Sequence, residues 1–136
     1  MKFTVLFCRI ALFVIYFWFG LLKVLGQSPA SPLVQALFDK TIPLMSFGLF
    51  FTLFGLFEML IGILFLIPKA EKIAVTLFFI HIFATTLPLF VLRGMTFTAF
   101  FVPTLEGQYI VKNLALIACA LTVLQFRNDK AFLARS

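Results

Sequence analysis

The chain has 136 residues, of which 63% are hydrophobic and only 12% charged, and its mean hydropathy is +1.16. Soluble domains carry roughly one-quarter charged residues, and a soluble fold of this size has no means of hiding so much apolar surface, so a free aqueous protein is excluded. The formal net charge is +6, but the basic residues are spread over the flanks of apolar runs and form no patch, which excludes a nucleic-acid partner and leaves the lipid bilayer as the first partner.

Four apolar runs, residues 4–25, 44–67, 73–92 and 110–126, are each close to the ~20 residues that cross the hydrocarbon core. They predict an all-α fold: an integral membrane four-transmembrane-helix bundle, built as a single domain over residues 1–136. The 21 phenylalanines suit lipid-facing and helix-packing positions, since they carry no polar atoms.

The first run follows Lys2, and Ser28-Pro29-Ala30 faintly resembles a cleavage site. The run is longer than a signal core and is interrupted by Arg9, so it reads as a retained span. Ser31-Pro32 then reads as an N-cap with proline at the first helical position. Leu33, Val34, Leu37 and Phe38 share one face through Lys40, predicting a short outer amphipathic helix. After the second span, a tight turn carries Lys69 and Lys72. The loop from Arg93 to Pro103 is too apolar for a free aqueous loop and is expected to pack on the bundle mouth or dip into the headgroups. The fourth span is the shortest.

An even number of spans puts both termini on one side. That side holds Lys2, Lys69, Lys72, Arg127, Lys130 and Arg135, against Lys40 and Arg93 on the other, with Lys23 and Lys112 at span ends. The positive-inside rule therefore predicts cytoplasmic N- and C-termini.

Arg9, Glu58 and His81 lie within the spans, where an ionisable side chain costs roughly 2.5–3.5 kcal/mol on insertion scales and needs a partner or a purpose. Spacing places Arg9, Tyr16, Gly20 and Lys23 on one stripe of the first helix. Gly48, Gly55, Glu58 and Gly62 share a stripe of the second, where glycine admits a close neighbour. His81, Thr85 and Pro88 share a face of the third, and Lys112, Cys119 and Thr122 a face of the fourth. Counting ~1.5 Å per residue from the span ends predicts an inner polar layer of Arg9, Glu58 and His81 in the cytoplasmic half. An outer layer follows from Lys23, Gln27, Lys112 and Asn113, with Glu106 at its margin. An Arg9–Glu58 ion pair alone would account for both charges, so structural and functional readings stay open. Lys23 and Lys112, near span ends, can also snorkel outward.

His81 is the sole histidine, which rules out bis-histidine haem ligation and any histidine-cluster metal site within the chain. Proton relay, or hydrogen bonding to a quinone carbonyl, needs only one such residue beside a carboxylate. The two cysteines, Cys8 and Cys119, sit in apolar runs with no metal-ligand spacing and read as inert buried thiols. The chain lacks a nucleophile elbow, a phosphate-cradling glycine loop, HExxH and a dinucleotide fingerprint, so it does not read as a self-sufficient hydrolase or NTPase.

Arg9-Ile10-Ala11, then Phe17-Trp18-Phe19-Gly20-Leu21-Leu22-Lys23, resembles the first helix of DoxX-like bacterial inner-membrane proteins, with its early arginine and G-x-x-K ending. Glu58 in a glycine-containing second helix fits the same family. Gly107-Gln108-Tyr109-Ile110-Val111-Lys112-Asn113-Leu114 resembles that family's G-x-x-x-x-K-D-x, with Asn113 where aspartate is usual. The wording around Ser46-Phe47 and Thr85-Thr86-Leu87 is nearest the YkgB/RclC-type branch. The resemblance implies a bacterial inner-membrane location near redox chemistry: a subunit of an oxidoreductase system rather than an enzyme by itself, with quinone as the cofactor to consider. Two alternatives stand beside it. One is a non-catalytic accessory subunit packed against other membrane subunits or further copies of itself. The other is a small oligomeric transporter or channel, for which no inverted repeat with broken helices is visible.

Overall fold

In the computed structural model, which describes residues 2–42 and 44–133 and side chains up to residue 127, the fold is an all-α four-helix bundle. Helix α1 spans Lys2–Val24, α2 Ser31–Thr41, α3 Phe47–Leu66 and α4 Glu71–Thr86. Two four-residue helices follow, α5 (Pro88–Val91) and α6 (Arg93–Thr96), then a two-stranded hairpin, β1 (Phe97–Ala99) and β2 (Val102–Pro103). Helix α7 runs over Leu105–Leu133. Four helical stretches are long and apolar enough to cross a membrane: Lys2–Val24, Phe47–Leu66, Glu71–Val91 and Leu105–Arg127. Arg135 lies outside the described residues, as does the side chain of Lys130.

The third span is not one smooth helix. Proline lacks the N–H that would bond back and clashes with the preceding turn, so α4 closes before Pro88 and the chain restarts as α5. The fourth exceeds the expected 110–126. At 29 residues α7 is about 44 Å long, more than the ~30 Å hydrocarbon core, so one end stands clear of it.

The turns have local causes. Ser46 caps α3, its hydroxyl accepting from the Leu49 N–H at 3.4 Å. Helix α2 forms where expected, but its N-cap is Ala30 rather than Ser31. Ser28 does the local work instead, accepting from the Ala30 N–H at 3.3 Å. Phe38 anchors α2 by ring contacts with α3, edge-on to Phe47 and tilted against Phe50. The apolar 93–103 segment folds as α6 and the hairpin, a form its sequence did not announce. Thr104 ties it to α7, donating to the Met95 carbonyl at 2.7 Å and accepting from the Gly107 N–H at 3.2 Å. At the hairpin tip Phe100 and Phe101 are both exposed, and Phe101 takes a left-handed φ of 57°.

The core lies between α1, α3, α4 and α7. Leu12, Ile61, Phe65, Phe78, Ala120 and Val123 are fully buried there. The most extensive packing joins α1 to α3. A Cβ on Gly20 would stand 2.5 Å from the Gly55 carbonyl oxygen, and one on Gly55 would stand 2.6 Å from the Gly20 carbonyl oxygen. The two backbones therefore touch, as small residues at membrane helix interfaces permit. Gly62 continues the seam against the backbone of Phe13 and Phe17.

Gly20→Val should accordingly lower stability by about 1–3 kcal/mol or more through overpacking. Gly48→Ala, whose new methyl meets nothing within 4 Å, should be neutral or stabilising by up to about 1 kcal/mol. Denaturant unfolding of the purified protein in detergent compares the two. Equal effects would contradict the glycine seam.

Candidate functional site

Residue spacing fixes the face a side chain occupies on its helix, but not how far one helix slides along the next. The glycine seam sets that slide. Gly20 opposes Gly55 and Met59, and a Cβ on Gly55 would stand 2.9 Å from the Lys23 Cβ. Lys23 is thus carried alongside α3, within one turn of Glu58.

There it forms one end of a buried polar chain. Lys23 Nζ donates to Glu58 Oε2 at 2.7 Å. Glu58 Oε1 lies 2.7 Å from His81 Nε2, and His81 Nδ1 lies 3.0 Å from the Tyr16 hydroxyl. The Lys23 and Glu58 side chains are only 7% and 6% exposed. A carboxylate can only accept, so Nε2 of His81 carries the hydrogen of that contact, and in a neutral imidazole Nδ1 then accepts from the Tyr16 O–H. Lys23 balances the charge of Glu58 within the pair. The order Lys23–Glu58–His81–Tyr16 runs from α1 through α3 and α4 and back to α1.

Aromatic rings hold the histidine in place. Phe54 stacks on the imidazole with centroids 5.1 Å apart, Tyr16 meets it edge-on at 5.1 Å, and Phe57 stands at 6.4 Å. The Lys23 ammonium also lies 5.8 Å from the Phe54 centroid. Apolar walls lower the local dielectric, which strengthens every charged hydrogen bond inside them and makes any unpaired group costly.

The expected inner layer of Arg9, Glu58 and His81 does not form. His81 and Glu58 do meet, but Arg9 is elsewhere. Its guanidinium donates to the Phe65 carbonyl at 2.9 Å and to Glu71 Oε1 at 2.6 Å, near the connection between α3 and α4. That place suits it: the C-terminal end of α3 presents carbonyls, and Glu71 occupies the first turn of α4, where helix dipoles favour a cation and an anion respectively. Glu71 Oε2 is buried and accepts no hydrogen bond among the described residues, while Arg127 Nε of α7 stands 3.6 Å away at ion-pair distance. Depths counted from span ends put Arg9 and Glu58 in one layer; the glycine seam slides the helices to a different offset.

The outer layer is corrected for the same reason. Lys23 belongs to the Glu58 chain. Lys112 is exposed and lies over the Tyr109 ring of its own helix at 5.1 Å from the centroid. Asn113 is half-buried, and Gln27 and Glu106 are exposed. Helix α7 turns Ala120 and Val123 inward instead of a polar stripe.

Sequence reasoning missed two participants. The 3.6-residue period places Tyr16 on the correct stripe but gives it no role. Glu71 lies just outside the apolar run, and its signal is an acidic residue opening a span beside Lys69 and Lys72, where a first-turn anion is favoured. Among the described residues no group of three or more His, Cys, Asp or Glu side chains gathers in a way that would hold a metal ion. No protein-family description, curated protein or solved structure matches the chain.

Removing one partner of a buried ion pair strands the other charge, at a cost of about 3–5 kcal/mol. Glu58→Gln and Lys23→Met should each lose stability on that scale, whereas the K23M/E58Q double variant should lose about 1–3 kcal/mol less than the sum. Arg9→Gln combined with Glu58→Gln should be additive. Unfolding free energies in detergent decide it: coupling of Glu58 to Arg9 instead of Lys23 would refute this geometry.

Proposed function

We propose that this chain is a membrane subunit of an oxidoreductase system, in which the Lys23–Glu58–His81–Tyr16 chain exchanges protons with a quinone or a similar small apolar redox partner. The observation that carries the reading is the unbroken buried sequence of contacts at 2.7, 2.7 and 3.0 Å. Hydrogen-bonded groups of alternating donor and acceptor character let a proton enter at one end and leave at the other without a free ion crossing lipid. A quinone takes up protons as it is reduced, and a tyrosine hydroxyl or histidine is a suitable donor to its carbonyl oxygens. An open apolar groove lined by Phe13, Val14, Phe17, Trp18 and Leu21 offers the partner's apolar part a resting place on the helix that carries Tyr16 and Lys23.

The resemblance of the Arg9, Gly20–Lys23 and Gly107–Lys112 segments to DoxX-like proteins adds support for a redox setting and a bacterial inner membrane. Cytoplasmic termini follow from the charge on the terminal side of the bundle, where Lys2, Lys69, Lys72 and Arg127 gather.

A second reading is an accessory subunit with no ligand of its own. It is favoured by the fourth span, in which only 17% of the most apolar window is buried within the chain. A helix so uncovered faces either lipid or a neighbouring subunit.

Titration of the protein in lipid nanodiscs with decylubiquinone, followed by quenching of its sole tryptophan, Trp18, tests the first reading. Saturable quenching above that of simple partitioning is expected, weakened at least about tenfold by Glu58→Gln or His81→Ala, the equivalent of ~1.4 kcal/mol. Quenching that never saturates, together with redox activity of the native complex unchanged in both variants, would overturn it.

A further inference from the structure

The two ends of the bundle differ in charge. At the hairpin end the exposed cations Lys40, Arg93 and Lys112 are offset by the exposed anions Asp39 and Glu106. At the terminal end five cations among the described side chains, Lys2, Arg9, Lys69, Lys72 and Arg127, stand against one carboxylate, Glu71. Glu71 opens the third membrane-length stretch and Arg127 closes the fourth, so the excess lies at the depth where a bilayer carries its headgroups.

The two arginines have separate roles. Arg9 is engaged within the protein: its side chain is 14% exposed, and it donates to the Phe65 carbonyl at 2.9 Å and to Glu71 Oε1 at 2.6 Å. That contact neutralises Glu71. Arg127 is 31% exposed, and its approach to Glu71 is Nε to Oε2 at 3.6 Å, outside hydrogen-bond reach. Oε2 accordingly accepts no bond among the described residues. One positive charge of this three-residue cluster is therefore left over. It resides on Arg127, whose two terminal NH2 groups have no partner among the described residues. A guanidinium presents its donors as a planar fork that matches two oxygens of a phosphate. Lys69 and Lys72 flank Glu71 in sequence, are both exposed, and add charge to the same corner.

The surroundings of this charge identify its occupant. Phe3, Leu6, Leu66, Ile67 and Ile73 are all exposed at this end, so the cations border a surface suited to acyl chains. A free anion would leave that apolar rim uncovered. A phospholipid covers it with its chains while its phosphate reaches the cations. We propose that the corner between α1, α4 and α7, formed by Arg127, Lys69 and Lys72 around the Arg9–Glu71 pair, binds the phosphate headgroup of an anionic phospholipid, with Arg127 as its bidentate partner. Basic recesses between membrane helices at headgroup level take such lipids. Arg9 and Glu71 are positioning residues, which join α1 to α4 at the point where Arg127 of α7 arrives. The inference needs neither a quinone nor proton exchange, so it stands or falls apart from the proposed function.

The test is lipid retention by native mass spectrometry of the full chain, delipidated in detergent and offered equal amounts of dioleoylphosphatidylglycerol and dioleoylphosphatidylcholine, whose choline offsets its phosphate. Expected is one phosphatidylglycerol held per chain in preference to phosphatidylcholine. A cation at the headgroup level contributes about fivefold, so Arg127→Gln should lower the preference at least about fivefold and K69Q/K72Q about twenty-fivefold. The Lys69 and Lys72 side chains are exposed and make no contact among the described residues, so that variant separates loss of the lipid from loss of folding. Lys112→Gln removes the same charge at the opposite end and should leave the preference unchanged. The proposal is overturned if both lipids are held equally, if Lys112→Gln lowers the preference as much as Arg127→Gln, or if excess inorganic phosphate displaces the lipid, which would make the corner a site for a free anion.

Discussion

The contact of two backbones at Gly20 and Gly55 is the constraint on which the rest of the structure depends. Lipid tails are as apolar as the side chains they would replace, so helices in a bilayer gain little from hydrophobic burial and associate through close packing and polar contacts. With no Cβ on either glycine, α1 and α3 approach until carbonyl oxygen meets Cα. That approach fixes the slide of one helix along the other. The slide in turn delivers Lys23, three residues beyond Gly20, to the carboxylate of Glu58. A bulkier residue at either position would move both the register and the ion pair.

From that pair the polar chain is assembled by satisfying acceptors. Glu58 has two carboxylate oxygens in an apolar interior, and each needs a donor. Lys23 serves one and His81 the other, and Tyr16 completes the histidine. At the terminal end of the bundle the same logic gathers Arg9, Glu71 and Arg127, helped by the dipoles of α3 and α4. The two groups differ in setting. The Arg9 cluster lies where helices end and charges are least costly. The Glu58 chain lies inside the bundle, ringed by Phe54, Phe57 and Tyr16, and there each unpaired group would carry its full desolvation penalty.

Much of this was legible in the residues, and the remainder was not for a definite reason. The four apolar runs mark the four membrane-length helices because hydropathy and length are local properties. The faces of Glu58, Tyr16 and Lys23 are equally local, since a 3.6-residue period determines them. What the period does not contain is axial offset between helices. Spacing alone therefore points Arg9 to Glu58 when its partner is Glu71, and Lys23 to an outer layer that does not form. The glycines that set the offset were visible, but which glycine faces which is a pairwise property. Helix α7 misled in another way: Lys112, Cys119 and Thr122 share a stripe, yet the inward positions belong to the small and branched apolar residues Ala120 and Val123. The hairpin at Phe97–Pro103 was hidden because its apolar run has neither the Asn-Gly nor the Asp-Gly signal of a two-residue turn, and Phe101 supplies the left-handed position itself.

The direct measurement of the central claim is the distance between the Lys23 ammonium nitrogen and the Glu58 carboxyl carbon, by dipolar recoupling solid-state NMR on protein labelled at those two residues in lipid bilayers. A hydrogen-bonded ion pair places these nuclei within about 4 Å and gives a strong coupling. Absence of that coupling, with the Glu58 carboxyl carbon instead coupled to the guanidinium nitrogens of Arg9, would contradict the account at its root.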